Sequence, residues 1–218
     1  MRSTRSGAFL SVGLVVTAFA LMSIPTMGSS ADAVAPVHSE QGDHAAHQQA
    51  ASAKPSYASK RSAFKTPDVT LLGHDGEEHA LAALLGVDKP VMLNFIFTSC
   101  TTICPVMTST FREVERQLGP DRQQVQLVSI SIDPEYDTPT RLAEYARARG
   151  AGEPWIFLTG DLASIRKTQT AFDAYRGNKM NHIPLTFLRA APDEPWLRID
   201  GLAAASDIMR EYRVLMTQ

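Results

Sequence analysis

Two near-continuous apolar runs, residues 90–97 and 125–132, constrain this 218-residue chain more than any other feature. A strand with one wet face alternates apolar and polar residues. A run apolar at almost every step belongs to a strand covered on both faces. Each run leads into a helical pattern. After the first, Val106, Met107, Phe111, Val114 and Leu118 recur at helical spacing until Gly119-Pro120 stops them, with Pro105 acceptable in the first turn. After the second, Thr138-Pro139 reads as the N-cap and first residue of a helix to about Arg149. Residues 69–72 read as a short strand before the His74-Asp75-Gly76 turn, and 80–85 as a helical turn. Further on, 155–158 is strand-like and 162–175 helical; 184–188 and 196–199 read as neighbouring strands, and 204–216 as a closing helix. The order predicts an α/β fold, a mixed central sheet flanked by helices.

Both cysteines lie where the first run ends, in Thr98-Ser99-Cys100-Thr101-Thr102-Ile103-Cys104-Pro105. They are four positions apart, about one helical turn, so at a loop-to-helix junction their sulfurs can face each other. Cys104 falls at the helix start, where free N–H groups and the macrodipole favour a thiolate. The spacing suits two jobs, holding a soft metal between thiolates or cycling between dithiol and disulfide. A purely stabilising bridge is a poor explanation, because closing so short a loop removes little unfolded-state entropy.

Two thiolates are an incomplete site for most metals. Of six histidines, His38, His44 and His47 precede the domain, and His74 and His79 read as solvated. His182 differs. In Met180-Asn181-His182-Ile183-Pro184 it stands immediately before an apolar strand, and therefore at a strand end. Asp133-Pro134 reads as a strand-ending turn and Asp137-Thr138-Pro139 as helix-start chemistry, with a role at the site as the second reading. The methionines read as core or loop residues, with Met180 the one thioether near His182.

The N-terminus bears on where such chemistry occurs. Arg2 and Arg5 precede an apolar stretch over residues 8–24, and Ala31-Asp32-Ala33 fits a cleavage site. That layout predicts a signal peptide or N-terminal membrane anchor over residues 1–33 and a periplasmic or other extracytoplasmic location. There the cysteines would meet oxidants and need a thiol reductant to stay reduced. Residues 34–60, rich in Ala, Ser, Gln and His, read as a flexible linker that could collect metal weakly. Residues 61–218 read as one domain with a proper core. With 21 Lys and Arg against 23 Asp and Glu, interspersed, there is no basic footprint for nucleic acid.

With the cysteines at the exit of the first central strand, the order resembles a thioredoxin-like fold, in which the loop carrying His182 packs beside the cysteine turn. The matching residues make the resemblance specific. They are Phe95-Ile96-Phe97-Thr98-Ser99-Cys100-Thr101-Thr102-Ile103-Cys104-Pro105, then Ser131-Ile132-Asp133-Pro134-Glu135-Tyr136-Asp137-Thr138-Pro139, then His182 ahead of Phe187-Leu188. In that order the chain resembles the SCO/SenC family of thioredoxin-like copper-binding proteins. The resemblance implies a metallochaperone rather than an enzyme, with Cys100, Cys104 and His182 as copper ligands. It also implies delivery to a respiratory cytochrome oxidase subunit carrying a Cu-A site, or to another copper protein. Cu(I) suits two thiolates and an imidazole; Cu(II) would need a further nitrogen or oxygen donor, and closed structural zinc sites want four ligands. The alternative is a thiol-disulfide oxidoreductase, in which Cys100 attacks and Cys104 resolves. Many relatives carry an aspartate before the histidine where this chain has Asn181, and Pro184 stands where thiol oxidoreductases have a cis-proline.

Overall fold

The computed structural model describes residues 57–217. The segment read as signal or anchor and most of the linker, including His38, His44 and His47, lie outside the described residues. Both apolar runs are strands buried at every position, β4 (Val91–Ile96) and β5 (Gln126–Ser131). They pair in parallel, Val91 against Gln126 through Ile96 against Ser131. The one polar residue inside β4, Asn94, lies opposite Ser129 and accepts a 2.7 Å hydrogen bond from its hydroxyl. The Trp155 indole N–H donates to the same hydroxyl at 3.0 Å, while the buried Asn94 Nδ2 has no hydrogen-bond partner among the described residues.

β6 (Trp155–Thr159) continues the parallel set beside β5. On the other side, β7 (Leu185–Arg189) runs antiparallel to β4, and β8 (Trp196–Gly201) antiparallel to β7. β1 (Tyr57–Ser62) completes that edge beside β8, while β2 (Thr70–Gly73) and β3 (Glu78–Ala80) form the other. The eight strands stand in the order β1-β8-β7-β4-β5-β6-β2-β3. The helices are α1 (Leu81–Leu85), α2 (Ile103–Leu118), α3 (Pro139–Ala148), α4 (Leu162–Ala171) and α5 (Ala205–Met216). This is the mixed, thioredoxin-like α/β architecture expected.

Thr138 caps α3 as predicted, accepting from the Arg141 N–H, with Pro139 at the first helical position. Three expectations need correction. Strand β1 begins at Tyr57, so residues 57–60 belong to the sheet and not to the linker. Its side chains lack an apolar face because the strand is held by backbone pairing to β8 and by the 2.8 Å bond from the Tyr57 hydroxyl to Glu211. Strand β3, too short for a periodic signal, follows the His74-Asp75-Gly76 turn. Helix α4 ends at Ala171 instead of Tyr175. There the buried Arg198 guanidinium takes the carbonyls of Phe172 and Asp173, and Asp173 turns to a φ of 47°.

The same chain reversal drives Phe172 into an aromatic cluster with Phe64, Phe95, Phe187 and Trp196, ring centroids 5.3–6.1 Å apart. Such pairs add to the burial of large apolar surface. Phe172→Ala is therefore expected to cost about 3–5 kcal/mol of unfolding free energy, read as a lowered urea midpoint at unchanged slope.

Candidate metal site

Parallel β4 and β5 end at the same edge of the sheet, and β7 begins there because it runs antiparallel to β4. Three loops therefore meet at one place: residues 97–102 leaving β4, 132–138 leaving β5, and 172–184 entering β7. The first carries Cys100 and leads into α2, whose second residue is Cys104; the last carries His182.

The structure brings the predicted residues together. Both cysteines are free thiols. Cys104 is fully buried, and its sulfur lies 3.8 Å from His182 Nδ1. Cys100, slightly more exposed, accepts a 3.5 Å bond from the Cys104 N–H at the start of α2 and lies 3.6 Å from the Thr102 hydroxyl. Phe97 covers the imidazole edge-on, ring centroids 6.1 Å apart. Among the described residues no group of three or more His, Cys, Asp or Glu side chains is gathered tightly enough to hold a metal ion as it stands.

The two sulfurs are unlike. Burial opposes ionisation of Cys100, but bonds from the Cys104 and Thr102 N–H groups, the Thr102 hydroxyl and the Cys104 thiol outweigh it and bring its pKa down to about 7. Burial pushes Cys104 up to about 12, with the adjacent Cys100 and Asp137 charges adding to the rise. Burial also depresses His182 to about 4, opposed more weakly by the Phe95 backbone, leaving it a neutral imidazole at pH 7. A neutral imidazole and an accessible thiolate are the forms that bind metal.

Both aspartates of the 132–138 loop brace the neighbouring loops. Asp137 does not cap α3; its fully buried carboxylate turns inward. It accepts bonds from the Thr98 N–H at 3.0 Å, the Thr98 hydroxyl, and the Ser131 hydroxyl at 2.5 Å. Asp133 pairs with Lys179 at 2.5 Å, and Lys179 also lies over the Phe97 ring. One loop is thus tied to both the cysteine turn and the histidine loop. The Asp133–Lys179 link was missed in the sequence, because its partners are 46 positions apart.

Other readings come out differently. The thioether of Met180 is 76% exposed, and Met107 is core. His74 and His79 are not simply solvated. His74 accepts from the Phe157 N–H and packs edge-on against that ring, and His79 pairs with Asp75. Asn181 donates from its side-chain amide to the Arg176 carbonyl at 3.3 Å, a bond an ionised aspartate could not make. The cis peptide bond among the described residues is Glu153–Pro154, so Ile183–Pro184 is trans.

The donor set suits a soft ion: two thiols and an imidazole favour Cu(I). The observed Cys104–His182 separation is 3.8 Å.

A sequence model of the SCO1/SenC family matches residues 58–216. The chain is 34% identical to the SCO1 protein homolog of Bacillus subtilis over 98 residues, 44% of this chain and 50% of that one. It thus spans about half the length of that curated relative. The structure of BsSco, described with a disulfide switch and as a member of the Sco family of cytochrome c oxidase assembly proteins, is 27% identical. It superposes with a TM-score of 0.61 over 72% of this chain and 96% of that one. Bradyrhizobium japonicum ScoI with copper bound is 25% identical, with a TM-score of 0.57 over 71% and 99%. The match runs through the whole described domain, from β1 to the end of α5, and the chain belongs to the SCO1/SenC family.

Proposed function

We propose that this protein is an exported copper carrier in which Cys100, Cys104 and His182 bind copper and release it to a Cu-A-bearing subunit of a respiratory oxidase or to another copper protein. The observation that carries this reading is the approach of His182 Nδ1 to the Cys104 sulfur beside Cys100, in a chain of this family. Cu(I) is cargo here, taken up and handed on. Cys100 is the point of entry, because its thiolate forms near neutral pH. His182 arrives neutral, so binding at pH 7 expels no proton from the ring. Phe97 and the buried aspartates hold the donors with little reorganisation, and the edge-of-sheet position sets Cys100, 9% exposed, nearer the surface than Cys104. Export is supported by the charge and hydropathy layout of residues 1–33. Among the described residues no helix is long and apolar enough to cross a membrane.

The difference between the two sulfurs favours a second activity at the same residues. The Cys100 thiolate attacks one sulfur of a partner disulfide, displacing the other as a thiolate. Cys104, on losing its proton, attacks Cys100 and releases the partner as a dithiol. Two electrons pass to the partner, the Cys100–Cys104 disulfide remains, and a thiol reductant must restore it.

Two outcomes check these readings. In competition with a Cu(I) chelator, the reduced protein is expected to bind one equivalent, and His182→Ala to bind at least about tenfold more weakly. Equal affinity in the variant would remove His182 from the site. Because only the thiolate reacts, alkylation of Cys100 by iodoacetamide is expected to accelerate as pH rises through about 7, while Cys104 stays protected throughout. A Cys100 profile with its midpoint near pH 9 would contradict the proposed activation.

A further inference from the structure

Beside the site, α4, the 132–138 loop and residues 174–182 enclose a cleft of about 260 Å³. Its charged groups divide into committed and uncommitted ones. Lys179 is held by Asp133, and Arg176 folds back on Asp173 and its own loop carbonyls. Arg166 on α4 and Glu135 on the facing loop are exposed, and neither pairs with any described residue. Gln169 lies one turn along α4 from Arg166. It is 6% exposed and lines the cleft. The exposed sides of Leu162 and Tyr175 supply an apolar wall.

We propose that this cleft binds a small zwitterion of the amino-acid or short-peptide class. Arg166 takes its carboxylate, Glu135 its ammonium group, and Gln169 a remaining polar atom. The volume lies just below the usual range for ligand pockets, which suits an amino acid or dipeptide better than a larger molecule. One uncommitted charge of each sign argues against a simple anion, which would meet Glu135 unfavourably. Binding here involves neither sulfur, although His182 also lines the cleft.

The test is a nuclear magnetic resonance titration of the metal-free, reduced full chain with S-methyl-L-cysteine, whose blocked sulfur cannot exchange with the cysteines. Acetate and ethylammonium serve as single-charge controls. Saturable shifts are expected at residues 133–135, 166–169 and 174–179. Arg166→Gln and Glu135→Gln, both surface changes, should each weaken binding about tenfold. The Cys100→Ser/Cys104→Ser protein should bind unchanged. Any of four results would overturn the proposal: no saturable shift, equal affinity in both charge variants, acetate binding as well as the zwitterion, or loss of binding in the cysteine variant.

Discussion

The buried carboxylate of Asp137 is the constraint around which the site is arranged. A charge with no solvent contact persists only when several donors surround it, and here they come from two strand exits. Ser131 supplies one from the end of β5, and Thr98 supplies two from the turn after β4. The parallel pairing of Ile96 with Ser131 sets those exits side by side, so register, carboxylate and cysteine turn specify one another. Moving either strand by one residue would strand the charge. The same loop reaches across through Asp133 to Lys179, so the third loop is drawn to the same edge. A three-part site is thereby positioned largely by residues that are not its donors.

That arrangement explains the contrast between two cysteines only four positions apart. Cys100 lies at the loop side, where backbone N–H groups at the start of α2 converge on its sulfur. Cys104, one turn further in, faces a dry core, a neighbouring thiolate and the Asp137 charge. The helix-start effect anticipated for Cys104 falls on Cys100 instead, because the free N–H groups point back toward the preceding loop. In the proposed function, copper capture and disulfide exchange would compete for one nucleophile, since a sulfur bonded to metal cannot attack a partner. Metal occupancy would therefore protect the pair from oxidation.

Much of this was legible in the residues because the central strands are unambiguous. Runs apolar on both faces admit few alternatives, and Thr138-Pro139 is a local signal that tertiary packing left intact. Sequence fell short where long-range contacts override local preference. β1 has no apolar face and exists through pairing with β8, and α4 stops where Arg198 collects the carbonyls just past its end. At the site, the cysteines were evident from spacing and His182 from its place before β7. The two aspartates read locally as turn and cap residues. Their reach to Thr98 and Lys179, 39 and 46 positions away, is set by the sheet alone.

The central claim is that Cys100, Cys104 and His182 act together on one copper ion. X-ray absorption at the copper edge of the Cu(I)-loaded protein, compared with its His182→Ala variant, tests it most directly. The account predicts two sulfur donors and one imidazole nitrogen in the native protein, with the nitrogen shell lost in the variant. An unchanged nitrogen shell in the variant, or a native site with fewer than two sulfurs, would contradict it.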